Sequence, residues 1–394
     1  MARLMRVLVV NAGSSTVKIR LVGPGDELLH RVDLDADRGR PGPGALEEAL
    51  AGLGPIDAVG HRVVHGGPSH SGPVLVDDTV AAELDALGAL APLHQPPALA
   101  ALRATAEALP GAPAVACFDT AFHAGMPAAA ATYALPARWR EEFGVRRYGF
   151  HGLAHEWAAR RAAALAGPYP RTVVAHLGSG ASACAVAWED GRARSVDTTM
   201  GFTPTAGLVM ATRSGDVDPA VPLWLVGSAG LAPVEVSDGL DRGSGLAGLA
   251  GSTDMRAVLA AERDGRPEAV LAVAVWLHRL RAQIAAMAAA LGGLDVLVFS
   301  GGIGENAPEL RERAVDGLGF LGLALDAGAN AAADPEGETD VSAPGARART
   351  VVVHAREDLV IAAEVRRLLA GNGDGGEGAA AVGTTGAVAR SAER

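Results

Sequence analysis

The sequence predicts an α/β protein built as two related halves around a shared cleft, and three observations predict it. First, an apolar run at residues 7–10 enters the small polar turn Asn11-Ala12-Gly13-Ser14-Ser15 and leaves through the alternating Val17, Ile19 and Leu21. A β-branched run before a Gly/Ser turn reads as a buried strand, and the alternation after it as a strand with one wet face. Second, the design returns 165 residues on, from Gly13 to Gly178: a strand over 172–176, the turn Leu177-Gly178-Ser179-Gly180-Ala181, then a strand over 182–188. Third, the buried strand 294–300 runs into Gly301-Gly302-Ile303-Gly304-Glu305-Asn306, with Pro308 opening a helix in its first turn. Strand, Gly-rich turn and helix start make a nucleotide site.

The first turn offers backbone N–H groups, hydroxyls and an amide ahead of Lys18, and reads either as a hairpin turn or as a phosphate cradle. Lys18 is the only lysine in the chain. Where every other basic side chain is Arg, one retained ammonium marks a place that needs a compact point charge. It is not a Walker A lysine, because Val17 rather than Gly precedes it. Residues 23–54, rich in Gly, Asp and Arg, read as surface with a short helix over 45–53. A strand over 56–64 then runs into His61-Arg62-Val63-Val64-His65-Gly66-Gly67, an anion grip or a charged surface turn.

A helix covers 79–90; Pro92, Pro96 and Pro97 break the chain before a helix over 98–108. The strand 112–118 ends in Asp119, an acid that is costly there unless it meets a cation, a metal or donors, or caps a helix. Arg146-Arg147-Tyr148-Gly149-Phe150-His151-Gly152 precedes a helix over 153–166. Residues 198–218 form a loop too apolar to be disordered, carrying Arg213-Ser214-Gly215-Asp216. Ser252-Thr253-Asp254-Met255-Arg256 reads as a capped helix start, and 269–291 as an Ala-rich core or subunit-interface helix. The strand 350–354 runs into Arg356-Glu357-Asp358 and a helix over 359–369. From Gly371 on, low-complexity sequence predicts a disordered tail.

A length of 394 residues favours two domains. Hydrophobic residues make up 49% of the chain and aromatics only 4%, so the cores are aliphatic. A net charge of −11 argues against nucleic acid or an anionic membrane surface as partner. Two cysteines, Cys117 and Cys184, give no disulfide framework and fit a reducing cytoplasm. No signal-peptide core and no uninterrupted apolar stretch of membrane-spanning length is seen. These features lead to the expectation of a cytoplasmic protein.

Taken together, VNAGSS with Lys18, GHRVVHGG, FDTAFH, RYGFHG, AHLGSG, the Arg213-Ser214-Gly215-Asp216 loop, SGGIGEN and Glu357 resemble the acetokinase family. The resemblance runs from about Arg6 to Leu369. It implies two ribonuclease H-like domains, a duplicated actin-like ATPase architecture flanking a nucleotide cleft. The expected division is 1–118 plus 358–370, then 119–357, with 371–394 as the tail. It implies Mg²⁺-dependent transfer of a phosphoryl group from ATP to acetate, giving ADP and acetyl phosphate. Mn²⁺ would substitute for Mg²⁺, and the active form would be a homodimer. The alternative within the family is a propionate or other short-chain carboxylate kinase.

The same resemblance implies roles for particular residues. Asn11 and Glu357 would hold the metal; Lys18, Ser14 and Thr16 would meet ATP phosphates. Arg62 and Arg213 would take the substrate carboxylate and the transferring phosphoryl group, His151 would stabilise that group, and Asp119 would be the catalytic carboxylate. His176, Leu177, Gly178, Ser179 and Gly180 would line the phosphates. Asp254, Met255 and Arg256, with Gly302, Ile303, Gly304, Glu305 and Asn306, would surround the adenosine. Val64, Leu93, Phe150 and Pro204 match the pocket for the acyl methyl. Ser179 departs from a frequent Asn, and Arg356-Glu357-Asp358 from the usual Asn-Glu-Glu.

A carboxylate nucleophile is already ionised at neutral pH, so such a site needs positioning and charge neutralisation rather than a base. Asp119 then orients an Arg or a metal-bound water. A sugar or polyol kinase on the same scaffold would need a base and several polar groups for hydroxyls. A non-catalytic nucleotide-binding module would bind ATP without acetate-dependent release of ADP.

Overall fold

The computed structural model describes residues 5–13, 16–37, 39–42, 44–91, 94–167 and 171–371. The expected tail therefore lies outside the described residues, apart from Gly371, which closes the last helix.

Two mixed sheets carry the fold. In the first, β1 (Val7–Ala12), β2 (Thr16–Val22) and β3 (Leu28–Asp37) form an antiparallel meander. The short β4 (Arg40–Pro41) extends its edge. On the other side of β1, β5 (Ala58–Val63) and β7 (Ala114–Phe118) run parallel, and the two-residue β6 (Val74–Leu75) closes that edge antiparallel. The order is β4-β3-β2-β1-β5-β7-β6. In the second sheet, β8 (Arg171–Leu177), β9 (Ala181–Glu189) and β10 (Arg192–Thr198) form the meander. There β11 (Val296–Ser300) and β13 (Arg349–Val353) are the parallel strands and β12 (Glu338–Asp340) is the antiparallel edge. Its order, β10-β9-β8-β11-β13-β12, repeats the first sheet strand for strand apart from β4. Both strand–turn–strand units occupy the same place in their sheets, so the expected duplication is realised.

Several readings change. Residues 23–54 hold the ten-residue β3, not surface chain alone: His30, Val32, Leu34 and Ala36 share a half-buried face while Arg31, Asp33, Asp35 and Asp37 are exposed. The helix expected to follow Pro97 starts earlier, as Gln95–Ala108, because Pro96 and Pro97 occupy its first turn, where no intrahelical N–H bond is needed. Gly301–Asn306 is itself a short helix before helix Pro308–Asp316. The segment after the 198–218 loop folds into three helices the sequence reading did not assign, Ala220–Gly227, Pro233–Arg242 and Gly245–Ala250.

The cores are aliphatic. Helix Pro267–Ala290 is long and apolar enough to cross a membrane by length and composition. Ala269, Val273, Trp276, Leu280, Ile284 and Met287, spaced three or four apart, bury one face of it in the core of the second sheet. Helix Glu357–Gly371 leaves β13 of the second sheet but packs Val360, Ile361 and Val365 on Val7, Val9, Ala58 and Val115 of the first. Leu223 and Trp224, on helix Ala220–Gly227, are 73% and 60% exposed.

Candidate active site

The strand ends of both sheets meet at one cleft of about 630 Å³. Asn11 and Lys18 from the β1–β2 unit, Arg62 from the end of β5 and His176, Gly178, Ser179 and Gly180 from the β8–β9 unit line it. Gly302 and Glu305 after β11 and Glu357 after β13 complete the wall, with His151 at the start of helix Gly152–Ala166. In α/β sheets, ligands lie at the carboxyl ends of the strands, and this cleft is built that way twice.

Arg62 is the hinge of the electrostatics. Its Nε and Nη2 grip the two oxygens of Asp119 at 2.9 and 2.5 Å, Nη1 donates to the Asn11 side-chain oxygen at 3.2 Å, and Nε lies 3.5 Å from a Glu357 oxygen. Burial works against the guanidinium charge, but Asp119 and Glu357 outweigh it and raise the Arg62 pKa. Asp119 is buried behind Arg62, with no face on the cleft. Burial raises its pKa to about 6; Arg62 pulls it down and Glu357 pushes it up. A bidentate pair of this kind fixes the guanidinium plane as well as its charge.

Arg213 approaches from the 198–218 loop, buried, with Nη1 donating to the Pro204 carbonyl at 2.6 Å. Burial lowers its pKa to about 10, where it remains cationic at neutral pH. A Cβ at Gly180 would stand 2.6 Å from Arg213 Nη2 and 3.2 Å from His151 Nε2, so the missing side chain is what lets Arg213 and His151 face one point. His151 has φ of 57°, in the left-handed region, at a cost of about 1 kcal/mol for a non-glycine residue. Two contacts hold it there: Gly152 N–H donates to the Asp119 carbonyl at 2.8 Å, and the His151 ring meets Ser182. Burial, then neighbouring His176 and Arg62, push its pKa well below the ordinary value, so the ring is neutral.

Glu305 acts as a latch rather than an open ligand. It is buried and accepts from Gly301 N–H at 2.6 Å and Ala355 N–H at 3.0 Å, with His354 Nδ1 at 2.8 Å. The unusual Arg356 pairs with Asp358, Nε and Nη2 at 2.9 and 2.8 Å, which leaves Glu357 to the cleft.

Asn11 and Glu357 present hard oxygen donors, the Asn11 amide donating to Glu357 at 3.3 Å. No group of three or more His, Cys, Asp or Glu able to hold a metal occurs among the described residues. That sparse oxygen set fits Mg²⁺, which keeps most of its shell as water and phosphate oxygen.

The remaining expected residues among those described stand outside the lining of this cleft. Val64 and Phe150 are buried in one core cluster, and Pro204 meets Arg213 through its carbonyl. Leu177 is buried and backs Gly301; Thr16 closes the first turn by accepting from Gly13 N–H at 2.8 Å. Ile303 and Gly304 turn inward, while exposed Asn306 donates to the Gly302 carbonyl at 2.9 Å. Asp254 caps helix Met255–Arg263 and pairs with the exposed Arg256, and Met255 is buried; none of the three lines this cleft. Ser14 and Leu93 lie outside the described residues. The sequence reading missed His94, close enough to Arg213 and Arg62 that burial and their charges take its pKa to about 3. It also missed His155 and Ser182, though the four-residue spacing of His151 and His155 at a helix start was a usable signal.

The family model described as the acetokinase family matches residues 46–363. The acetate kinase of Leifsonia xyli subsp. xyli is 46% identical over 397 aligned residues, covering 92% of this chain and 99% of that protein. Among solved structures, the acetate kinase of Porphyromonas gingivalis matches with a TM-score of 0.81 at 36% identity, over 93% of this chain and all of that one. A propionate kinase from Francisella tularensis matches with a TM-score of 0.82 at 35% identity, over 91% and 98% of the two chains.

Proposed function

The chain belongs to the acetokinase family, with its actin-like ATPase fold, and is an acetate kinase using ATP and acetate; within that activity we propose the following division of labour. Arg62 holds the acetate carboxylate, while Arg213 and neutral His151 face the transferring phosphoryl group. Lys18 and the N–H groups of the 177–180 turn take the nucleotide phosphates. Asp119 is a positioning residue: it keeps Arg62 charged and in plane, and no proton needs to leave the acetate, which is already ionised.

Asn11 and Glu357 hold Mg²⁺, with Mn²⁺ as a substitute; when bound, the ion neutralises phosphate charge. The observation that carries the reading is the convergence of Arg213 and His151 on the space left open at Gly180, beside Arg62. Preorganised donors aimed at one point in a partly closed site contribute about 3 kcal/mol each to transition-state stabilisation. Val64, Leu93, Phe150 and Pro204 form the small acyl pocket, and Asp254, Met255 and Arg256 approach the adenosine when the cleft closes. Closure brings together two units, 1–118 with 358–370 and 119–357, a division supported by each holding one sheet.

The active form is a homodimer, supported by exposed Leu223 and Trp224. It works in the cytoplasm, a placement supported by two free, buried cysteines. The test is a panel of formate, acetate, propionate and butyrate with ATP and Mg²⁺, trapping acyl phosphate as hydroxamate. Acetate is expected to lead; a preference for butyrate overturns the pocket, and full turnover by Arg213→Ala overturns the role of Arg213.

A further inference from the structure

Ser182, on β9, stands between two histidines of helix Gly152–Ala166 and its cap. Its Oγ lies 2.9 Å from His151 Nδ1 and 2.7 Å from His155 Nε2. A hydroxyl has one hydrogen, and accepting from both rings would leave the buried Ser182 hydrogen without a partner, so with both rings neutral it donates to one ring and accepts from the other. That leaves two arrangements. If His151 Nδ1 donates, Ser182 donates to His155 Nε2, and the proton of His155 sits on Nδ1, a buried atom with no hydrogen-bond partner. If His155 Nε2 donates, Ser182 donates to His151 Nδ1, and the proton of His151 sits on Nε2, beside Gly180. The first orphans a buried N–H and turns a bare lone pair toward the cleft. The second leaves only a lone pair in the core and gives the cleft a donor, and orphaned buried N–H groups are the rarer defect.

We propose that the relay His155 Nε2–H to Ser182 O–H to His151 Nδ1 fixes His151 as the Nε2–H tautomer, making Ser182 and His155 positioning residues for phosphoryl transfer. The ring's other nitrogen sets which one carries the proton. His151 thereby donates to an anion without carrying a charge of its own, whatever the pH near neutrality. Ser182 and His155 are wholly buried, so neither touches substrate. The proposal deepens the reading that His151 faces the phosphoryl group and rests on it for its effect on turnover, though not for the tautomer itself.

The experiment combines ¹⁵N-histidine NMR of the free enzyme, with His151 assigned by His151→Gln, and steady-state kinetics. The expected result is a protonated Nε2 and bare Nδ1 at His151. Ser182→Ala should mix the tautomers and lower kcat about ten-fold, the worth of one hydrogen bond, with KM for ATP and acetate moving less than about two-fold. If Ser182→Ala does not fold, His155→Gln, whose amide still donates, should keep most of the turnover that His155→Leu loses. A protonated Nδ1 in the wild type, an unchanged kcat in Ser182→Ala, or equal turnover in the two His155 variants overturns the relay. Unchanged kcat in His151→Ala would instead overturn the phosphoryl-facing role and leave the tautomer result intact.

Discussion

Gly180→Ala isolates the geometry of the site from the stability of the fold. Gly180 is not among the positive-φ glycines, so alanine adopts its backbone without strain. The added methyl meets Arg213 Nη2 at 2.6 Å and His151 Nε2 at 3.2 Å, and the nearer neighbour is the far end of a flexible side chain. The fold therefore yields cheaply by moving the guanidinium, and the expected loss of stability is under about 1 kcal/mol. Activity cannot yield cheaply, because the methyl occupies the point on which both donors are aimed. Losing one preorganised donor costs about 3 kcal/mol, or on the order of 100-fold in kcat. The assay is hydroxamate-trapped acetyl phosphate at saturating ATP and acetate, with a thermal melt as control. A kcat within about two-fold of wild type with an unchanged melt would show that the transferring group does not pass Gly180, and the assignment of Arg213 and His151 would fall with it.

Three further outcomes are expected. Because its folded pKa of about 6 lies above the ordinary carboxylate value, the contribution of Asp119 to stability is complete below pH about 4 and is lost as pH rises through 6. Turnover has the opposite need, an ionised Asp119 holding Arg62, so kcat/KM should fall as pH drops through about 6, and Asp119→Asn should abolish that limb of the profile. Lys18→Arg, in a cleft position that is already exposed, should cost at least about ten-fold in kcat with an unchanged melt, since a guanidinium fork does not replace a point charge. Trp224→Glu should shift the protein from dimer to monomer in sedimentation, and an unchanged dimer would mean that exposed Trp224 serves another contact.

Much of this was legible because short-range pattern and chemistry coincide at the strand ends. The two Gly/Ser turns, the Arg62 grip and the Asp119 strand end each combine an apolar run with residues too polar to end it by chance. By contrast, β3 hid within a Gly-, Asp- and Arg-rich stretch, although His30, Val32, Leu34 and Ala36 keep a strict period of two. The pairing of Arg356 with Asp358 was hidden for a different reason. Neighbours two apart at a helix start do not declare whether they face one another, so the sequence alone leaves the partner of Arg356 open. The contact of Ser182 with His151 joins residues 31 apart, and no local period encodes it.

The last helix, Glu357–Gly371, has a consequence for how the chain is made. It emerges from the second sheet, yet its Ile361 and Val365 pack into the notch at Gly60, where a Cβ would meet them at 2.5 and 2.9 Å. The hydrophobic floor of the sheet translated first is thus delivered by a helix translated only after every strand of the second. At about 5–20 residues per second, the amino-terminal strands wait many seconds with Val7, Val9 and Ala58 uncovered. An enzyme truncated just before this helix would therefore lose the cover of its first sheet while keeping every strand of its second.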